Sequence, residues 1–268
     1  MMVIMGFSSG IGMQASRRLL SSSAIVRGSG TKQQSGFNKR YLGVTDKIYV
    51  PTMYRNLPSV FRSPLVVANS LIRRIYMLGL NTVHVALFRV QSGYKPKFLL
   101  WKNKAIETYV EVNRAFARRD LEAAQPLVSI WVQEALEARV RQLPKRVEME
   151  WDLVKFNGVP KLVAVQPIML PGQPLEMLQL VYRFDTRQRL IKVERGSSEA
   201  EKLDRNVVDH VAFLCDASTD EMLLVGTVFE AAPDAKLPTT EASSEETIQQ
   251  MRICGDIYRS PPALKQQA

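Results

Sequence analysis

Near Arg146 the spacing of apolar residues changes from steps of three and four to steps of two, which restricts the chain to an architecture of helices followed by strands. Before it, Phe98, Trp101, Ala105, Tyr109, Val112 and Phe116 recur at helical spacing and share one face, while Lys97, Lys104, Arg114 and Arg118 fall opposite. A second stripe runs through Leu121, Ala124, Val128, Trp131, Ala135 and Ala138, with Pro126 restarting the helix and Pro144 ending it. After it, Val147, Met149, Trp151 and Leu153 alternate with Glu148, Glu150 and Asp152 as in a half-exposed strand. Asn157-Gly158 predicts a hairpin turn, and further strands are expected at about 159–170, 176–184, 189–195, 206–215 and 222–229. The order predicts an α+β domain, N-terminal helices covering one face of a curved antiparallel β-sheet.

The flanks read differently. Residues 1–45 hold Arg17, Arg18, Arg27, Lys32, Lys39 and Arg40, a serine cluster at Ser21, Ser22 and Ser23, and no acid, the composition of a mitochondrial transit peptide with a disordered region. Arg17 and Arg18 follow the apolar stretch, and glycines and serines break it, which disfavours a secretory signal. Within it, Gly6-Phe-Ser-Ser-Gly10-Ile-Gly12 imitates the phosphate loop of short-chain dehydrogenases. It lacks the strands around it, and none of the eight tyrosines has a lysine four residues later.

Residues 46–63, with Pro51 and Pro58, read as an extended linker laid over a surface, and Pro64, capped by Ser63, opens a helix. From Leu65 to Val90 that helix is apolar apart from Arg73, Arg74, His84 and Arg89. Its uninterrupted part, Ile75 to Phe88, is fourteen residues, short of the roughly twenty that cross a bilayer. A helix lying on a membrane or against a partner fits, with a half-buried core helix as the competing reading. Residues 64–230 are then the folded domain, and residues 231–268, rich in Pro, Thr, Ser, Glu and Gln, are expected to be a flexible tail.

Charge narrows the function. The net charge is +10, and residues 1–145 carry 22 Lys/Arg against 7 Asp/Glu, whereas residues 146–268 carry 14 against 19. Between Asp46 and Glu107 there is no acid and there are ten cations, a single-sign field that points to a polyanionic partner, RNA or an acidic membrane face. Arg73, Arg74, Arg89, Lys95 and Lys97 are the candidates to face membrane or RNA, and Lys104, Arg114, Arg118 and Arg119 form a second basic face. Two cysteines and two histidines make neither a disulfide framework nor a metal site, and no cofactor is expected. Asp209-His210 is the best catalytic pair on offer, but strand neighbours point to opposite faces, so no catalytic residue is assigned.

Several runs carry a family resemblance: Leu57-Pro58-Ser59, Phe61-Arg62-Ser63-Pro64, Val85-Ala86-Leu87-Phe88-Arg89, the stretch from Lys97 through Trp101 and Lys104 to Glu107, and Val128 to Leu136 with Trp131 and Glu134. Over roughly residues 50–230 the chain resembles the fungal mitochondrial inner-membrane ribosome receptor family. That family is similar to an animal mitochondrial large-subunit ribosomal protein and to the C-terminal domain of the inner-membrane import-motor scaffold. The resemblance implies a cone-shaped, cystatin-like or nuclear-transport-factor-like fold and a non-enzymatic role. The implied protein is peripheral, on the matrix side of the inner membrane, and binds the large mitoribosomal subunit near its tunnel exit. It tethers the ribosome there for co-translational insertion through an Oxa-type insertase. Anionic inner-membrane lipid is the other implied partner, and no small-molecule substrate is expected. Two further classes compete: an import-motor or assembly scaffold binding cardiolipin and proteins without RNA, and a small-molecule pocket enzyme.

Overall fold

The computed structural model describes residues 38–45, 47–170, 172–194, 200–238 and 243–262 of the 268-residue chain. The transit-peptide reading therefore lies outside the described residues up to residue 37, as does the Gly6–Gly12 motif. Four helices come first: α1 Pro64–Ser92, α2 Phe98–Arg118, α3 Leu121–Ala124 and α4 Ile130–Gln142. Five strands follow, β1 Val147–Phe156, β2 Lys161–Ile168, β3 Met177–Glu194, β4 Ala200–Asp216 and β5 Glu221–Val228, and then a helix, α5 Ser244–Gly255. The architecture is α+β. Pro64 occupies the first turn of α1, where its missing N–H costs nothing, and Gly93 at φ 74° ends it. Asp120 and Ser129 cap α3 and α4 by accepting from Ala123 N and Val132 N.

The sheet is antiparallel in the order β1-β3-β4-β5, with β2 also paired to β3. Here the structure corrects the hairpin expected at Asn157-Gly158. β1 pairs with the second half of β3, Val147 opposite Glu194 to Phe156 opposite Thr186, and β2 with its first half, Lys161 opposite Arg183 to Ile168 opposite Met177. β1 and β2 thus run the same way along one side of β3. Asn157 fastens the step between them, its N–H donating to Asp185 O at 2.8 Å and its Nδ2 to Asp185 Oδ1 at 3.1 Å. The break expected between residues 184 and 189 is also absent, and β3 runs unbroken for 18 residues. Its polar residues are satisfied in place. Thr186 is buried, Gln188 bonds Tyr109 and Trp151, and Arg187 and Arg189 grip Asp204 of β4, holding that carboxyl down to about 2.

Alternation decides which residues meet the helices. On one face Leu178, Leu180, Tyr182, Phe184, Val211 and Phe213 pack with Trp101, Tyr109 and Val112 of α2 and with Val132 and Leu136 of α4. On the other, Ala164, Val181, Ala212 and Leu214 pack with Leu42, Val44 and Val50 of the entering chain and Cys254 of α5. Both faces are covered, so strand burial is nearly continuous in the middle of the sheet.

Two flanks are corrected. Residues 38–45 belong to the fold: Lys39 pairs with the buried Asp216, Arg40 Nη2 donates to Gln133 Oε1 at 2.6 Å, and Trp131 Nε1 donates to Tyr41 O at 3.0 Å. Burial alone would raise the Asp216 carboxyl, but hydrogen bonds from Lys39 and Ser218 hold it below the usual carboxylate range. The tail expected over 231–268 contains α5, which packs on α4 and β5. Gly226, at φ 151°, leaves room for α5, since a Cβ there would lie 2.4 Å from Cys254 O.

Candidate interaction surfaces

α1 lies against β2, where that strand's outer side carries no strand partner among the described residues. Asn81 stands in for a neighbouring strand, its Nδ2 donating to Val163 O at 2.8 Å while its Oδ1 accepts from Val165 N at 3.1 Å. His84 Nδ1 adds a contact to Val165 O at 2.7 Å. An exposed strand edge invites pairing with other chains, and α1 closes it. His84, which the sequence leaves without a role, is therefore a structural residue.

With its inner face committed to β2, α1 turns a different face outward. Leu65, Ile72, Ile75, Val83 and Val90 are all exposed, as are Tyr76 and Leu78. One side of α1 is thus packed, as the core-helix alternative expects, and the other is the exposed apolar face on which the membrane-lying or partner-bound reading depends. Among the described residues no helix is long and apolar enough to cross a membrane.

The nine candidate cations separate into two kinds. Six are engaged within the fold. Arg73 Nη1 donates to Pro233 O at 3.1 Å, and Arg74 bonds Thr52 O and stacks 3.9 Å over the Tyr54 ring, so these two fasten α1 to the segments around it. Lys97 Nζ pairs with Asp220 Oδ2 at 2.6 Å and Lys104 Nζ donates to Asp220 O at 2.8 Å, while Trp101 Nε1 donates to Asp220 Oδ1 at 2.9 Å. That grip pins the β4–β5 turn, where Asp220 sits at φ 57°, and the bonds from Lys97 and Trp101 hold its carboxyl below the ordinary range. Arg114 lies 3.7 Å from Asp152. Arg119, at φ 59° where α2 ends, donates from Nη2 to Pro144 O at 2.6 Å and Val147 O at 2.8 Å.

Arg89, Lys95 and Arg118 are exposed, and their side chains make no bond among the described residues. The sequence reading missed Lys145 and Arg146, also exposed and unbonded within that set. Arg119 clamps the carbonyls on either side of them, so this turn is held against the end of α2 that carries Arg118. Adjacent cations beside a helix end were the available signal.

A cavity of about 890 Å³ lies between the sheet, α2, α4 and the C-terminal segment, lined by Phe116, Trp151, Leu190, Asp209 and Tyr258 among others. Asp209 accepts from Tyr109 Oη at 2.6 Å, and Gln188 Nε2 donates to Tyr109 Oη at 2.7 Å. Burial raises the Asp209 carboxyl, opposed by the bonds from Tyr109 and Gln188. His210 takes the other face, opposite Arg183 in the register, and burial lowers it to about 4. The alternation that separates the pair in the sequence separates it in the structure. Among the described residues no group of His, Cys, Asp and Glu is arranged to hold a metal.

Fold and surfaces together define a cationic α+β domain with an exposed apolar helix face and, near both ends of α2, basic side chains that make no bond among the described residues. The chain belongs to the MBA1-like protein family, which residues 28–263 match. It is similar to the inner membrane mitoribosome receptor MBA1, mitochondrial, of Saccharomyces cerevisiae, 56% identical over 256 residues that cover 92% of each chain.

Proposed function

We propose that this protein is a mitochondrial ribosome receptor that holds the mitoribosome, through its large subunit near the tunnel exit, at the matrix face of the inner membrane. It acts as a peripheral membrane protein, so that mitochondrially encoded membrane proteins pass directly to an Oxa-type insertase. The observation that carries this reading is the 56% identity, across 92% of both chains, to a protein named as an inner membrane mitoribosome receptor.

The surface chemistry fits. Ribosomal RNA presents phosphates, and each cation that meets one releases a condensed counterion. Arg118, Lys145 and Arg146 are the RNA-facing group, free to leave water for phosphate because no acid of the described fold holds them. Arg89 and Lys95 face anionic lipid beside α1. Arg73, Arg74, Lys97, Lys104, Arg114 and Arg119 serve by fixing the elements that carry these residues. A non-enzymatic role follows from the receptor reading, and it agrees with Asp209 accepting from Tyr109 while its neighbour His210 pairs opposite Arg183.

The test is sedimentation of detergent-solubilised mitochondria through sucrose gradients at low and high salt, following this protein against a large-subunit marker. Comigration at low salt that is lost at high salt is expected. Arg118→Glu/Lys145→Glu/Arg146→Glu should weaken ribosome binding and flatten its log–log salt slope by about two to three. Absence of comigration at low salt would move the import-motor scaffold to first place, and comigration surviving high salt would make the protein a permanent subunit instead of a receptor.

A further inference from the structure

The outward stripe of α1 is apolar along its whole length. Leu65 is 77% exposed, Ile72 63%, Ile75 70%, Val83 60% and Val90 82%. At 100° per residue these five fall within about 80° of arc, and Ala68, Gly79 and Ala86 fill the spaces between them. From Leu65 to Val90 the stripe is about 38 Å long at 1.5 Å per residue. Phe61, 98% exposed just before α1, extends it. A soluble helix that packs one side on a sheet normally turns charge to the other; this one turns aliphatic side chains to both.

The helix cannot roll to hide the stripe, because Asn81 and His84 hold its inner face to β2 and Phe88 is buried in the core. No described residue covers it, which leaves it open to a partner. The charges around it select which. Arg62 precedes the helix, Arg89 flanks the stripe and Lys95 follows the helix end, and none of these side chains has a partner among the described residues. No acid occurs between Asp46 and Glu107. A second copy laid on the same stripe, in either direction, would bring these cations together, whereas an anionic lipid surface would neutralise all of them.

We propose that the outer face of α1 is the membrane-docking surface of this protein. α1 lies in the plane of an anionic bilayer with Leu65, Ile72, Ile75, Val83 and Val90 at the acyl boundary and Arg62, Arg89 and Lys95 at headgroup phosphates. This rests on the membrane side of the receptor reading above and names the residues that perform it. This attachment needs no spanning segment: the inner face of α1 keeps the domain, and the outer face keeps the lipid.

The test is flotation of the full chain with vesicles of phosphatidylcholine containing one-fifth cardiolipin and with pure phosphatidylcholine. Wild-type protein should float with the anionic vesicles. Ile72→Glu/Val83→Glu should reduce that binding about tenfold or more, because each substitution puts a carboxylate among acyl chains and phosphates. Both positions are exposed, so the melting temperature should stay unchanged. Arg89→Gln and Lys95→Gln should each weaken binding to anionic vesicles about fivefold and leave the weak binding to neutral vesicles unaltered. Ribosome co-sedimentation of all these variants should match wild type. If the double variant floats as well as wild type, the proposal is wrong. It is equally overturned if light scattering shows a wild-type dimer that the double variant dissolves with vesicle binding intact, since the stripe then belongs to a second copy. Vesicle binding that behaves as expected while wild-type protein fails to sediment with ribosomes would remove the ribosome reading and leave the membrane face standing.

Discussion

Asp209 and His210 are adjacent in β4 and occupy opposite faces, and burial acts on them with opposite sign. The Asp209 carboxyl is raised and the His210 imidazole is lowered to about 4, so each is pushed toward its neutral form. For His210 the folded value lies below the unfolded value of about 6.5, and the unfolded chain takes up a proton that the folded chain refuses between those two pH values. Stability therefore falls as pH drops from about 6.5 toward 4, by an amount on the order of 2–3 kcal/mol from this residue. Asp209 runs the other way, contributing stability that is present in acid and lost as pH rises through its raised value, so it does not cause the acid loss. Urea unfolding of wild type and His210→Gln at pH 7 and pH 4.5 should show a smaller acid loss in the variant. Equal losses would mean that the ring is protonated in the folded chain. The separation of this pair was legible because strand alternation is a local rule. The roles of Arg73, Arg74 and Arg119 were not, since their acceptors are carbonyls at Pro233, Thr52, Pro144 and Val147, and a sequence displays charges without displaying carbonyls.

At the scale of elements, the association of α1 with β2 rests on a side chain that imitates a backbone. Asn81 offers a donor and an acceptor in nearly the spacing of a strand, and Asn81→Leu would leave Val163 O and Val165 N facing an apolar surface without partners. A loss of about 1–3 kcal/mol is expected in chemical denaturation, with faster hydrogen exchange concentrated at Val165. Asn81→Asp should not rescue it, because a carboxylate still accepts from Val165 N but meets Val163 O as a second acceptor. A uniform increase in exchange across the sheet would contradict an edge-covering role for α1. The period change near Arg146 made the helical and stranded halves legible. The pairing of β1 and β2 with one long β3 was not, because Asn157-Gly158 carries the local signature of a hairpin while the bonds from Asn157 to Asp185 choose another path. α5 carried a readable signal, Ser243 with Glu246 three residues on, and Ser243 Oγ accepts from Glu246 N in the structure. Its polar composition hid it, since its inner side is marked by little more than Met251, which lies beside Gly43, and the buried Cys254.

For the whole molecule, the two proposed attachments differ in kind and in place. The RNA-facing group of Arg118, Lys145 and Arg146 sits where α2 ends, and Lys95 sits just before it begins; the 21-residue helix between spans about 31 Å. The first attachment is made of charge alone, so its affinity should fall linearly on a log–log plot as salt displaces it. The second combines a few charges with an apolar stripe, and added salt screens the former without weakening the burial of the latter. One titration on one sample separates them: protein, ribosomes and cardiolipin-containing vesicles are mixed, and salt is raised while vesicles float and ribosomes sediment. Ribosomes should leave first, with protein remaining on vesicles at salt concentrations where the ribosome pellet carries none. The Ile72→Glu/Val83→Glu variant should reverse that order, leaving the vesicles at low salt while still on ribosomes. Parallel loss of both partners in the wild type would mean that membrane attachment is electrostatic throughout and that the apolar face of α1 meets something other than lipid.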